Sequence, residues 1–489
     1  MTTSLITTAI PFVNARPHLG FAYELVLADI LARHRRRRGR EVYFTTGTDD
    51  HSLKNAVAAA AEGVATQVLV DRNAAAFRAL GPLLDVAPDD FIQTSRDPRH
   101  RGTVEKLWRA CASDLYKQTW QGRYCAGCEA FVDDYVVRCP EHHTVPEPVH
   151  EENWFFRLSR WKEPVREAIE SGRLQIVPEA ARAETLAFLA GEVRDLSVSR
   201  IASRSNGWGL PVPGDPDQII YVWFDALVHY LSALDGDRLA RYWLSGERVH
   251  VIGKGITRFH AVYWPAFLLA AGLPLPDRIF VHGYLTIDGE KIAKSGRSVE
   301  VGPFVERCGV DALRWYFARA CRTRTDSDAS ERAVCAAYDR DLADRLGNLV
   351  HRCTTLLHKL AGGRIPARTG SAIADGVPAR IDAALDAFLV DDAAVAIVEL
   401  IDRANRELDR AAPWKLPPDA ALAALYAPLE AARFAAGELL PFVPAAARKV
   451  LQRLGDPDPS PIWGLLEPGA LVASGPPPLP RSDLSRGAT

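Results

Sequence analysis

Apolar and polar positions change rhythm several times along the chain. Residues 3–110 alternate short apolar runs with longer helical patterns. A threonine/isoleucine segment near the start reads as a strand broken by Pro11 and Asn14. Pro17 then fixes a turn, and His18-Leu19-Gly20 leads into a helical pattern over residues 22–38. Val42-Tyr43-Phe44-Thr45 reads as a buried strand, followed by the polar loop Gly47-Thr48-Asp49-Asp50-His51-Ser52 and an alanine-rich helix over 54–62. Strand, polar loop and helix form the unit of a parallel sheet, where ligands bind beyond the strand ends. The texture changes over 115–184, where cysteines cluster among Trp154, Phe155, Phe156 and Trp161 with irregular spacing, as in an insertion. The α/β rhythm resumes with Ile219 to Phe224, a helical stretch over 226–234, and the strand Val249-His250-Val251-Ile252, which ends at Gly253-Lys254-Gly255. A helix with Phe259, His260 and Trp264 follows, then a strand over 278–281 and a loop over 288–298. From 327 to 453 strand signals vanish. Leu342, Leu346, Leu349, Val350, Ile397, Leu400, Ile401, Leu408, Leu425, Leu429 and Phe434 recur at helical spacing, which predicts a helical bundle.

The expected architecture is therefore an α/β parallel-sheet (Rossmann-type) domain over 1–114 and 185–326, interrupted by an insertion over 115–184. A helical domain follows over 327–455 and a proline-rich tail over 456–489. At 489 residues the chain is long enough for several cores. Its 48% hydrophobic and 25% charged residues are ordinary for a soluble protein, and a net charge of −2 confines any nucleic-acid surface to a local patch. The run Arg33-His34-Arg35-Arg36-Arg37-Arg38 reads either as a solvated last helical turn or as a contact for a nucleic acid (tRNA) or phosphate. Neither a signal peptide nor an apolar run long enough for a bilayer is evident, so a cytoplasmic location is expected.

Three stretches carry candidate chemistry. The turn holding His18 and Gly20 sits between a strand and a helix start, where backbone N–H groups and the helix dipole can meet phosphate. Some 270 residues later, Lys291 and Lys294 lie three apart in Asp288-Gly289-Glu290-Lys291-Ile292-Ala293-Lys294-Ser295, a loop whose charge can offset that of a departing pyrophosphate. In the insertion, Cys125-x2-Cys128, ten residues, then Cys139-x2-His142 is a Cys₃His zinc pattern, with His143 a rival fourth ligand.

The pairing of HLGF (His18 to Phe21) with KIAKS (Lys291 to Ser295) resembles the HIGH and KMSKS signatures of class I aminoacyl-tRNA synthetases. The segments TTAIPFVNARPHLG, VYFTTGTDDH, YVWFDAL, HVIGKGITRFHAVYWPAF, VHGYLTIDGEKIAKS, DLADRLGNLVHR and AAPWKL narrow the resemblance to the methionyl-tRNA synthetases, over nearly the whole chain. The resemblance implies ATP- and Mg2+-dependent activation of methionine followed by transfer to tRNA(Met). It assigns catalysis to His18, Lys291 and Lys294, and ATP contacts to those residues with Gly20, Phe21, Gly253, Gly255 and Ser295. Asp49 would hold the substrate ammonium. Ile10, Trp223, Ala226, Leu227, Tyr230, Ile256, Phe259 and His260 would enclose its thioether, a setting suited to a long, polarisable, uncharged side chain. Asn348, Arg352 and Trp414 match positions that read the anticodon, and the Cys125, Cys128, Cys139 and His142 set matches a structural zinc knuckle in the inserted connective-peptide domain. A monomer is the default, because the domain appended in many family dimers is not seen.

The sequence departs from the family pattern at Phe21 in place of the second histidine, at Gly255 in place of an aspartate beside the ribose, and at Ala293 and Ser52. A phenyl ring donates no hydrogen bond to phosphate. Three functions are thus open: a methionine–tRNA ligase, a paralogue that activates a methionine-like amino acid for specialised metabolism or inhibitor resistance, and a non-catalytic descendant that binds tRNA or methionine.

Overall fold

The computed structural model describes residues 3–125, 130–132, 137–139, 143–287, 290–291 and 299–482. It contains two compact units, Met1–Pro17 with Arg38–Gly81 and Ala87–His282, and His18–Arg37 with Pro82–Val86 and Gly283–Thr489.

The first unit is built on a six-stranded parallel sheet. Its strands are β1 (Thr3–Thr8), β2 (Glu41–Thr48), β3 (Asp90–Gln93), β4 (Gln175–Val177), β5 (Glu247–Gly253) and β6 (Arg278–His282), in the order β3-β2-β1-β5-β6-β4. Chain order runs outward in opposite directions from β1 and β5, so their carboxyl ends form a topological switch point, where doubly wound sheets bind ligands. Thr8 pairs with Val251 in that register, which sets Ile10 just beyond the end of β1 and Gly253 at the last position of β5. Central strands are covered on both faces, and two pairs of their buried polar side chains bond across strands. Thr7 Oγ1 meets His250 Nδ1 at 2.7 Å, and Thr8 Oγ1 meets Thr46 Oγ1 at 2.6 Å. The core joins Leu5, Ile92, Trp108, Phe156, Phe224, Tyr230, Trp243, Trp264 and Phe267 in one apolar cluster.

The stretch expected as an insertion opens at strand Leu115–Cys125, which pairs antiparallel with Glu147–Phe156 from Leu115↔Phe156 to Tyr124↔Glu147. Ala130–Val132 and Leu196–Ser197 complete a four-stranded sheet. β4, from the same stretch, adds to the edge of the parallel sheet.

The second unit contains α1 (Leu19–Arg37) and the helices Val310–Arg319, Glu331–Tyr338, Asn348–Ala361, Val377–Asp386, Val390–Ala411, Pro418–Leu439 and Pro444–Arg453. The apolar positions at helical spacing between Leu342 and Phe434 are all at most 2% exposed. Two charged groups lie inside it. Arg314, fully buried, donates to Asp29 Oδ2 (2.7 Å) and to the carbonyls of Phe442, Pro441, Leu84 and Asp85 (2.8 to 3.1 Å). Arg433 bonds Glu430 and the carbonyls of Asp458, Ser460 and Ile462, while Glu430 accepts from the N–H groups of Gly464, Leu465 and Leu466. This pair pins the start of the proline-rich tail to Pro418–Leu439. Burial is tolerable because every charge is met by partners. The arginine run at the end of α1 is not a solvated turn. His34 and Arg35 are buried, Arg33 bonds Asp29 and Asp85, and Arg37 bonds the Pro459 carbonyl. No helix among the described residues is long and apolar enough to cross a membrane.

Candidate active site

In the first unit the switch point carries the residues assigned to the amino acid. The backbone after β1 lies beside the end of β2: Phe12 bridges Asp49 in parallel, and Asp49 N–H donates to the Pro11 carbonyl at 3.0 Å. Gly47 makes this approach possible. A Cβ there would meet the Ile92 carbonyl oxygen at 2.1 Å and Ile10 Cγ2 at 3.1 Å. Asp49 is buried, and its carbonyl accepts from Asn55 Nδ2 at 3.0 Å. Ser52, where the family pattern has glycine, has φ −64°, so no left-handed backbone is required. Its Oγ accepts from Lys54 N–H and caps α2 (Leu53–Glu62).

A run of rings continues from this loop. Phe12 meets Trp223 edge to face at 6.0 Å, and Trp223 stacks on Phe259 at 3.7 Å and 11°. Trp223, Ala226 and Leu227 lie on the short helix Val222–Leu227. Tyr230 O–H reaches His260 Nε2 at 2.8 Å, and His260 Nδ1–H donates to the Ile256 carbonyl at 2.9 Å. Burial pushes His260 down to about 4 against that backbone bond, so the ring is neutral and Tyr230 must be the donor. Ile10, Asp49, Trp223, Ala226, Leu227, Tyr230, Ile256, Phe259 and His260 are thus gathered along one side of the sheet's carboxyl end. Gly253 ends β5, and Gly255 is exposed in the turn Lys254–Ile256 that follows.

The signature turn belongs to the second unit. His18 Nδ1 accepts from Gly20 N–H at 3.1 Å, which leaves the proton of a neutral ring on Nε2. His18 bridges Glu300 antiparallel, and Leu19 N–H donates to the Val299 carbonyl. The turn therefore sits against the chain just after the lysine loop. Phe21 is buried in the first turn of α1, its N–H on the His18 carbonyl at 3.1 Å. Lys291 pairs through its backbone with Thr286. Lys294 and Ser295 lie outside the described residues.

In the same unit Asn348 opens the helix Asn348–Ala361, one turn before Arg352. Arg352 holds Asp409 at 2.6 Å, and its guanidinium lies over the Trp414 ring at 5.1 Å. Trp414 is 51% exposed. An exposed indole beside an arginine can stack and hydrogen-bond an unpaired base. In the insertion, Cys125 and Cys139 are buried and meet at Thr144: Cys125 Sγ touches Thr144 Oγ1 at 3.9 Å, and the Thr144 carbonyl accepts from Cys139 N–H at 2.8 Å. His143 N–H turns back to the Cys139 carbonyl at 2.7 Å. Cys128 and His142 lie outside the described residues.

Sequence reasoning singled out neither Phe12 nor the buried group His51, His100 and Asp225 as site residues. Asp225 Oδ2 accepts from His51 Nδ1 and Oδ1 from His100 Nε2, each at 2.6 Å. Burial opposes the charged form of Asp225, but the charges and hydrogen bonds of the two histidines outweigh it and hold the carboxyl well below its ordinary range. His51 and Asp225 stand inside motifs already noticed, whereas nothing local marks His100.

Known proteins resemble this chain over most of its length. A family model described as "tRNA synthetases class I (M)" matches residues 4–147 and 141–354. A methionine–tRNA ligase of Brucella suis biovar 1 is 38% identical over 479 residues, covering 92% of each chain. One from Rhizobium meliloti is 37% identical over 96% of this chain and 95% of its own. Among solved structures, Mycobacterium tuberculosis methionyl-tRNA synthetase in complex with methionyl-adenylate superposes with a TM-score of 0.93 at 35% identity, over 98% of this chain and 100% of that one. The chain belongs to the methionine–tRNA ligase family of the class I tRNA synthetases.

Proposed function

We propose that this protein is a methionine–tRNA ligase. It activates methionine with ATP and transfers the methionyl group to tRNA(Met). The observation that supports this most is a buried carboxylate residue, Asp49, whose backbone bridges Phe12, with the Phe12 ring edge-on to Trp223 at the start of the neutral, ring-lined wall of Trp223, Phe259, Tyr230 and His260. Asp49 takes the ammonium, and the wall takes an uncharged thioether side chain.

In the first step a carboxylate oxygen of methionine attacks the α-phosphorus of ATP. The bond to the β-phosphate oxygen breaks, and pyrophosphate leaves with its electron pair. Catalysis is positioning and charge stabilisation. His18 donates from Nε2 toward the phosphates, the N-terminus of α1 adds its N–H groups, and Lys291 and Lys294 offset charge on the leaving pyrophosphate. Gly253, Gly255 and Ser295 border the nucleotide. Mg2+ on the phosphates would supply further positive charge. In the second step the terminal ribose hydroxyl of the tRNA attacks the acyl carbon, its proton departs, and AMP leaves. Asn348, Arg352 and Trp414 contact the anticodon of the same tRNA.

Two buried cysteines brought together round Thr144, with a tight backbone turn at Cys139–His143, suit a zinc knuckle. Cys125, Cys128, Cys139 and His142 would hold the ion, and it would act as a structural cross-link.

Phe21 favours a second reading, a paralogue with altered activation, because a buried phenyl group stands where the signature has a hydrogen-bond donor. Exchange of labelled pyrophosphate into ATP by purified protein, across a panel of amino acids, decides. The first reading requires exchange with methionine above the others. Preference for another amino acid supports the second, and no exchange above background, with tRNA still bound, removes both.

A further inference from the structure

The side-chain wall and the ammonium loop belong to different segments of the first unit, and one buried ionic group ties them together. Asp225 is fully buried on the short helix Val222–Leu227, between Trp223 and Ala226. His51 stands two residues beyond Asp49, with its side chain 8% exposed. The second oxygen of Asp225 holds His100 of α3 (Pro98–Ala110), also fully buried. The Nδ1 of His100 lies 2.9 Å from Ser232 Oγ. That hydroxyl also reaches the Val228 carbonyl at 3.0 Å. His100 is thus held by Ser232 on one side and Asp225 on the other, and a carboxylate between two histidines links Ser232 to the loop.

The remaining bonds of the loop fix its backbone. Asn55 Nδ2 donates to the Asp49 and Asp50 carbonyls at 3.0 and 2.8 Å, and Trp208 Nε1 donates to the Asp50 carbonyl at 2.7 Å. Asp50 N–H donates to Thr94 Oγ1 at 2.9 Å, and Ser95 O–H donates to Asp50 Oδ2 at 2.5 Å. The His51–Asp225 bond ties this loop to the helix Val222–Leu227. The group is not shaped for a metal ion. Ligand atoms round a tetrahedral ion with bonds near 2.0–2.1 Å stand about 3.3 Å apart, whereas each nitrogen here is 2.6 Å from an Asp225 oxygen, a charge-assisted hydrogen bond.

We propose that His51, Asp225 and His100 are positioning residues that fix the Asp49 carboxylate at one distance from the side-chain wall, so that recognition of the α-ammonium depends on a relay that does not touch the substrate. This rests on the reading that Asp49 takes the ammonium. A carboxylate–ammonium contact is short and directional, and misplacement of such a group by about 1 Å costs on the order of 10²-fold. Apolar contacts with the thioether are less sensitive to the same shift.

The test uses full-length protein and calorimetric binding, which does not depend on turnover. Asp225→Asn is expected to weaken methionine and methioninol, both of which carry the ammonium, by about tenfold or more, and 4-(methylthio)butanoate, which lacks it, by less than about twofold. In pyrophosphate exchange the KM for methionine rises while the KM for ATP does not. Unchanged methionine affinity overturns the proposal, as does an equal loss for the compound without an ammonium. His51→Gln carries the same comparison should Asp225→Asn not fold. Asp49→Asn separates the two claims: if it leaves methionine binding intact, the assignment of Asp49 fails, whatever the relay variants show.

Discussion

Tyr230→Phe removes one hydroxyl group from a site where nothing can replace it. Tyr230 and His260 are both buried, and the hydroxyl donates to His260 Nε2 at 2.8 Å. The other nitrogen of His260 is committed to the Ile256 carbonyl at 2.9 Å, and burial keeps the ring neutral by holding it down to about 4. After the substitution Nε2 is a buried acceptor with its donor gone, a loss of about 1–3 kcal/mol. The phenyl ring still packs at a tilt against His229 at 3.8 Å and stacks on His250 at 4.0 Å, so little packing is lost. His260→Phe leaves the hydroxyl without its acceptor and costs a similar amount. The double variant removes both partners, and its cost should fall short of the sum by about 1–2 kcal/mol. Urea denaturation of the four proteins gives the coupling, and pyrophosphate exchange gives the methionine KM, which should rise in Tyr230→Phe as the His260 ring loses its orientation. Single costs that add to within about 0.3–0.5 kcal/mol would rule out a hydrogen bond of this strength between the two rings.

Further outcomes follow from the same geometry. Phe21→His restores a donor at the signature turn and should raise exchange by about 10²–10³-fold; an unchanged rate in a folded variant would show that the position takes no part in activation. Arg352→Ala and Trp414→Ala should each weaken tRNA binding, because a stacked base is worth about 1–3 kcal/mol, while leaving exchange intact, since Trp414 is half exposed and carries little packing; filter binding at fixed salt measures this. Stability should fall as pH drops below about 6.5. Burial lowers His229 to about 3 and His260 to about 4, and holds His250 well below its ordinary value, so the unfolded chain takes up protons that the folded chain refuses. His51 acts in the opposite sense: burial lowers it, but Asp225 and Asp50 together raise it, so its contribution is full below about 6.5 and lost above the raised value. Three groups outweigh one, and thermal midpoints measured from neutral pH to about 5 should decline; a flat profile would contradict the neutral assignments.

Much of this was legible in the sequence because periodicity and burial coincide. The apolar residues from Leu342 to Phe434 predict a bundle, and they are its core. Val42 to Thr45 predicts a buried strand and lies in β2. Side chains that depart from the pattern for electrostatic reasons were not legible. Nothing in the local pattern marks Arg314 and Arg433, which lie fully buried because carbonyls and a carboxylate meet their donors. The arginine run at the end of α1 misled in the same way. β4 is three residues long, too short for alternation to show, and its partner β6 lies about a hundred residues away. His100 reaches Asp225 across 125 positions, a contact that no local spacing announces.

One chain is held to join methionine activation to recognition of a particular tRNA. The most direct measurement is charging of a tRNA(Met) transcript with labelled methionine by the purified protein, beside the same transcript with its anticodon replaced. Methionyl-tRNA should form with the first and fall by an order of magnitude or more with the second. Methionine left uncharged on the matching transcript, or equal charging of both, would contradict the proposed function.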